Sequence, residues 1–197
     1  MIAETLNIIV KLINVYISSS TTDDPLILTN ISKYNDGNEF SDDLTNKLIL
    51  SIVNIEEDRI AKSPKNYVKE NSLVRYKNPS TPINLTLLFA ATHNSYDTAL
   101  MLVEKVIRFF QIKNVYTPSD TPDLQSLNES SSVNIDKIIF EWINLNLEQV
   151  NQLWTSLGGH YMPSVVMKMR MLIIDEMQIQ KEGLPIKEIE GITAHIQ

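Results

Sequence analysis

The chain has 197 residues, is 43% hydrophobic, carries a net charge of −7 and contains no cysteine. That length and composition give one domain, or a domain with an arm, able to bury a core without crosslinks, and they exclude a disordered chain. The acidic balance argues against a protein that wraps nucleic acid, and the missing cysteines exclude disulfides, thiolate metal sites and cysteine nucleophiles.

Ile2, Leu6, Ile9, Ile13 and Ile17 recur at helical spacing, which predicts an amphipathic helix over 2–18. Glu4 and Lys11 interrupt its apolar character, and it lacks a basic start and a small-residue cleavage site. It therefore reads as a helix rather than a signal peptide. No apolar run reaches the length of a membrane span, so a cytoplasmic protein is expected. "PLILTNIS" (25–32) is a short β-prone run, and Asp36-Gly37 signals a turn. "KLILSIVNI" (47–55) reads as a buried strand, and residues 60–80 as a polar segment. "PINLTLLFAAT" (82–92) alternates apolar and polar residues and predicts a strand.

Asn94 or Ser95 opens the next helix, with Asp97 in its first turn and an apolar face of Tyr96, Ala99, Leu100, Val103, Ile107 and Phe110. Residues 117–134 hold two prolines and many serines and read as a loop. Residues 136–147 are strand-like. Asn146 with Gln149 is a capping box for a helix over 147–157 whose face is Val150, Leu153, Trp154 and Leu157. Gly158 suits the left-handed residue that ends such a helix. "SVVMKMRMLII" (164–174) is the last clear strand, with Met167, Met169 and Met171 on one face and Lys168 and Arg170 on the other. Interleaved strands and helices predict an α/β or α+β fold built on a mixed sheet. Residues 1–175 form the domain and residues 176–197 a C-terminal arm.

Few residues offer chemistry. His93, His160 and His195 are scattered, with no pair four apart on a helix as a metal motif requires. Gly158-Gly159 lacks the further glycines and lysine of a phosphate loop. His160 has no serine elbow to act on, so a structural or interface role is the reading taken. Glu56, Glu57 and Asp58 are consecutive, and adjacent strand residues point to opposite faces, so they read as a solvated strand end or a salt-bridge contact. The methionine stripe of 167–171 reads as core. No catalytic, cofactor-binding or metal-binding residue is assigned.

Charge is more informative. Arg59, Lys62, Lys65, Lys69, Arg75 and Lys77 stand against the single acid Glu70, so residues 59–77 carry +5 and the rest of the chain −12. A basic segment on an acidic body points to electrostatic docking with another protein, or to a solvated loop. Lys168 and Arg170 form a second candidate contact. In the tail, Ile179, Leu184, Ile186, Ile189, Ile192 and Ile196 are too apolar to lie free in water, and a neighbouring subunit is the favoured surface for them.

Four blocks carry a resemblance: "ETLNIIVKLINVYI", "NKLILSIVNIEEDR", "PINLTLLFAATHNSYDTALMLVEKVIRFFQ" and "INLNLEQVNQLWTSLGGHYMPSVVMKMRMLIID". In this order they resemble the tail-terminator, or cap, family of bacterial contractile injection systems. These are phage-tail-like particles such as the antifeeding prophage and the Photorhabdus virulence cassettes. The blocks span about residues 2–175, and the tail beyond matches none of them. The resemblance implies a non-enzymatic structural protein that forms a hexameric ring at the baseplate-distal end of the inner tube and sheath. Such a ring ends tube polymerisation and anchors the last sheath layer, in a particle assembled in the cytoplasm. The implied partners are further copies of the chain, the tube protein and the sheath protein, with no nucleic acid, membrane, cofactor or small-molecule substrate. Two other readings stand beside it: a soluble adaptor or assembly chaperone binding one protein client, and an enzyme centred on His160.

Overall fold

The structure, a computed structural model, describes residues 2–18, 25–35, 44–60, 67–70, 73–130, 135–174 and 179–183. The isoleucine-rich N-terminus forms α1 (Ile2–Ile17), and the residues it buries include Leu6, Ile9, Ile13 and Ile17, the face set by their spacing. Asn14 is buried on that helix. Its Nδ2 donates to the Leu26 carbonyl and its Oδ1 accepts from the Leu26 N–H, each at 2.9 Å. One amide side chain thereby covers the outer edge of β1 (Leu26–Leu28), where an unpaired strand would leave its backbone groups bare.

The short helix α2 (Ser32–Asn35) leads to β2 (Leu48–Glu57). Next come β3 (Tyr67–Glu70), β4 (Leu73–Lys77), β5 (Thr81–Ala91) and α3 (Tyr96–Ile112). The chain continues through β6 (Val115–Tyr116), α4 (Pro122–Ser130), β7 (Ile138–Trp142), α5 (Leu147–Ser156), β8 (Ser164–Ile174) and β9 (Ile179–Gly183). The main sheet runs β1-β2-β5-β8-β7-β6, and a second sheet runs β3-β4-β9. Only β1 and β2 pair in parallel; the other pairs are antiparallel, so the main sheet is mixed as expected.

Alternation along the central strands splits the core into two layers. Leu48, Leu50, Leu85, Leu87, Phe89, Met167 and Met169 join the cluster made with α1, α3 and α4. Ile49, Leu88, Ala90 and Val166 join Ile31, Leu44, Trp154 and Met162 on the other face. Each fully buried Leu or Ile of these clusters contributes about 1.5–3 kcal/mol. The capping box of α5 is formed: Asn146 accepts from the Gln149 N–H, and Gln149 accepts from the Asn146 N–H. Gly158 has φ of 111°, and the Gly159 N–H reaches back to the Trp154 carbonyl at 2.7 Å, closing the helix end.

Several expectations are corrected. The strand expected to be buried over 47–55 is buried only through Ser51, and most residues from Ile52 onward are exposed. The polar segment 60–80 contains β3 and β4. The loop expected over 117–134 contains α4, whose Leu124 and Leu127 are buried in the core. The buried face of α3 is Ala99, Leu102, Val103, Val106, Phe109 and Phe110, while Tyr96 and Leu100 are exposed. Aromatic packing sets that face, with Phe110 lying 4.5 Å from Phe140 and 5.7 Å from Phe89 between ring centroids. β8 is not the last strand, because β9 follows it. The turn expected at Asp36-Gly37 lies outside the described residues.

Candidate assembly surfaces

In chain order β3 and β4 fall between β2 and β5 of the main sheet, and β9 follows β8. Antiparallel pairing of β4 with both β3 and β9 places Tyr67, Tyr76 and Lys181 in one row across the second sheet, and Val68, Arg75 and Glu182 in the next. Of the basic residues in the 59–77 segment, Arg59 lies just beyond β2, Lys69 on β3, and Arg75 and Lys77 on β4. Lys62 and Lys65 lie outside the described residues. The segment is therefore in part a folded, basic strand pair rather than a loop, with Tyr67 and Tyr76 both partly exposed beside its charges.

The tail is divided as well. Ile179 begins β9, which pairs with β4 of its own chain, so 179–183 do not leave their subunit as the arm expectation held. Leu184, Ile186, Ile189, Ile192 and Ile196 lie outside the described residues.

Lys168 and Arg170 face away from the methionine stripe, as alternation requires. The Lys168 ammonium meets Glu56 at 3.0 Å. The Arg170 guanidinium donates to both oxygens of Glu141, at 3.2 and 3.3 Å, and its other terminal nitrogen stands 3.7 Å from Asp58. Asn84 donates to the same Asp58 carboxylate at 3.3 Å. Glu56 and Asp58, at the end of β2 and just beyond it, thus meet cations of their own chain. Two buried atoms in this network, Asn84 Oδ1 and Arg170 Nε, make no hydrogen bond in the structure.

His160 is exposed beyond the α5 terminus, and the nearby Tyr161 ring packs edge-on to Trp154 at 5.9 Å. The His93 Nδ1 accepts from the Ser95 N–H at 3.0 Å, before α3. His195 lies outside the described residues. Among the described residues, no three His, Asp or Glu side chains gather where they could hold a metal ion. A groove of about 220 Å³ runs between β8 and α5 and is lined by Trp142, Leu145, Val150, Leu153 and Tyr161, without a convergent set of titratable groups. Burial raises the Tyr116 phenol pKa. Hydrogen bonding from Thr117, then from Lys113 with its charge, lowers that of Asp120. No helix of the described residues is long and apolar enough to cross a membrane.

Fold and surfaces together define an α/β protein whose distinctive chemistry lies in charged strands and open surfaces. The chain belongs to the family described as the Pvc16 N-terminal domain, whose model matches residues 4–188. Two solved structures share the fold. One is described as the sheath/tube terminator, in the extended state, of an extracellular contractile injection system. It matches at a TM-score of 0.58 and 12% identity, over 100% of this chain and 64% of that one. The other, the tube-terminating cap of the anti-feeding prophage, matches at 0.59 and 12%, over 96% of this chain and 60% of that one. The chain therefore spans less than two thirds of either relative's length. No curated protein matches it.

Proposed function

We propose that the chain is a structural terminator of a contractile injection system, forming a ring at the baseplate-distal end of the inner tube and sheath. There it ends tube polymerisation and anchors the last sheath layer. The observation that carries this reading is the family match over residues 4–188, supported by a fold shared with a terminator and a tube-terminating cap. The role is non-enzymatic, and the ring is a hexamer of this chain in contact with tube and sheath proteins.

Docking falls to the basic segment. Arg59, Lys62, Lys65, Lys69, Arg75 and Lys77 meet acidic groups on another component of the assembly. Lys168 and Arg170, already engaged with Glu56, Asp58 and Glu141, shape the sheet face beside it. The apolar tail beyond Gly183 lies across an adjacent subunit. The test is assembly of tube and sheath with the chain present, absent, or carrying Lys65→Gln, Lys69→Gln and Arg75→Gln together. Electron microscopy should show tubes of uniform length ending in a ring with the parent chain, and tubes of uncontrolled length without it or with the triple variant. Tubes of one length in all three cases would sink the terminator reading.

A further inference from the structure

The main sheet has two open stretches of edge, and they differ. β1 covers β2 only along Leu48–Leu50, and the open stretch beyond is guarded. A bulge at Ile52/Asn54 interrupts its register with β5, and two acids end the strand. The Asn54 side chain turns back on its own strand, accepting from the Ile55 N–H at 2.9 Å and donating to Glu56 at 3.0 Å. Bulges and charges of this kind hold natural edges back from pairing.

The open stretch of β7 is regular in its pairing with β8. β6 pairs only with Ile138 and Ile139, and the Phe140 N–H then reaches the Asn114 carbonyl at 2.8 Å. The Ile143 N–H turns inward to the Val166 carbonyl at 3.0 Å. Alternation therefore directs the Trp142 N–H and carbonyl outward, where no strand pairs among the described residues. Trp142 is 48% exposed and borders two apolar grooves. One holds Leu145, Val150, Leu153 and Tyr161; the other, of about 690 Å³, holds Ile107, Phe110 and Met167. An open backbone between two apolar grooves suits an added strand, whose alternate side chains enter opposite grooves.

We infer that the open edge of β7 receives the apolar tail, residues 184–197, of a second copy. Composition selects the tail. It holds Leu184, Ile186, Ile189, Ile192 and Ile196, whereas no other stretch outside the described residues holds more than one large apolar side chain. Reach selects the second copy. Gly183, the residue before the tail, pairs with Val74 on β4, and Trp142 shares a row with Met167 and Leu87. Val74 and Leu87 are thirteen residues apart along β4 and β5, about 43 Å of strand. Leu184, Ile186 and Ile189 lie within six residues of Gly183, about 20 Å of extended chain, so they fall short of the groove on their own chain. Each copy gives its tail to one neighbour and takes a tail from the other, the head-to-tail contact from which rings are built. This inference rests on the ring reading above and assigns the surface on which the tail lands.

The chain has no cysteine, so single thiols can report the contact. Asn144→Cys and Gln111→Cys place a thiol at either groove, and Lys187→Cys and Glu188→Cys sample both sides of the added strand. Full-length variants are mixed in pairs and oxidised under conditions where the parent forms rings, with rings read separately by electron microscopy. The expected result is a covalent dimer from at least one groove variant with at least one tail variant. It should be absent with Lys33→Cys on α2 as partner. It should also be lost when the groove copy carries Trp142→Ala, or Tyr161→Ala should the first not fold. Rings without the crosslink overturn the tail contact and leave the terminator reading intact. A crosslink that survives both groove substitutions overturns the groove. A dilute chain carrying Asn144→Cys and Lys187→Cys together that closes on itself puts the tail on its own subunit and overturns the inference. A parent that forms no rings overturns the ring reading and this inference together.

Discussion

Two halves of one sheet face contrast sharply. Near the start of β8, Val166 lies with Ile49, Leu88 and Ala90 beneath Trp154 and Met162, an apolar layer roofed by α5. Two and four residues further along the same face, Lys168 and Arg170 lie among Glu56, Asp58, Glu141 and Asn84. Here the side chains of Lys168, Arg170, Glu141 and Glu56 remain 30%, 37%, 46% and 47% exposed. The strands run through both halves, so the backbone is not the difference. What changes is whether a helix arrives to take apolar surface out of water. Where none does, the residues turn polar and pair laterally.

The largest test of this contrast is the roof. Trp154→Ala should cost about 3–5 kcal/mol in chemical denaturation, because the small cavity-lining replacement cannot refill the layer above Val166. A loss under about 1 kcal/mol would mean that α5 does not hold that half together. On the polar half, Arg170→Met should cost about 1–3 kcal/mol, since it removes a cation from beside the Asp58 carboxylate, whose side chain is only 9% exposed. Adding Asp58→Asn should recover part of that loss. No recovery would show that Arg170 acts through its packing alone.

The sequence makes the apolar half easy to read and the polar half hard. The α1 face, the capping box at Asn146 and the glycine stop at Gly158 are local signals, and each is found where its own residues placed it. The α4 start was legible too. Thr121 precedes Pro122 at the first helical position, Asp123 follows in the first turn, and Leu124 and Leu127 sit three apart. The serines and the first proline of the stretch, Pro118, outweighed that signal. The α3 face was rotated by a tertiary cause, the packing of Phe109 and Phe110 against Phe89, Phe140 and Tyr116, which no single-strand pattern contains.

Of the candidate surfaces, the basic excess over 59–77 was visible as charge, but its partial folding was not. Each strand of β3-β4-β9 is four or five residues long, and β9 comes from about a hundred residues away in sequence. Pairing at that distance leaves no local period. The partners of Lys168 and Arg170 were hidden for the same reason: Glu56 lies 112 residues from Lys168. The open edge of β2 could be found only from structure, because it is defined by where β1 stops.

Smaller effects sharpen the contrast further. Lys168→Ala should change stability by about 0–1 kcal/mol, as exposed ion pairs generally do, even though the pair sits one residue pair away from the Arg170 network. A larger loss would mean that the two cations act as a unit, and the double variant with Arg170→Met would then cost less than the two singles added.

The smallest effect concerns a carboxylate with no sheet around it. Asp120 is exposed before α4, with 51% of its side chain accessible. It accepts from the Thr117 hydroxyl at 2.8 Å and stands 3.4 Å from the Lys113 ammonium. These contacts hold its pKa below the usual carboxylate value, the hydroxyl bond first and then Lys113. A group with a lowered folded pKa contributes stability above its unfolded pKa and loses that contribution as pH falls through the folded value. Asp120→Asn should therefore be slightly less stable than the parent at neutral pH, with the gap closing on acidification. Solvent and salt screen this exposed site, so added salt should narrow the gap as well. Thermal melts of both proteins across the acid range would read it. A gap that widened toward low pH would have the wrong sign for a carboxylate stabilised in its charged form.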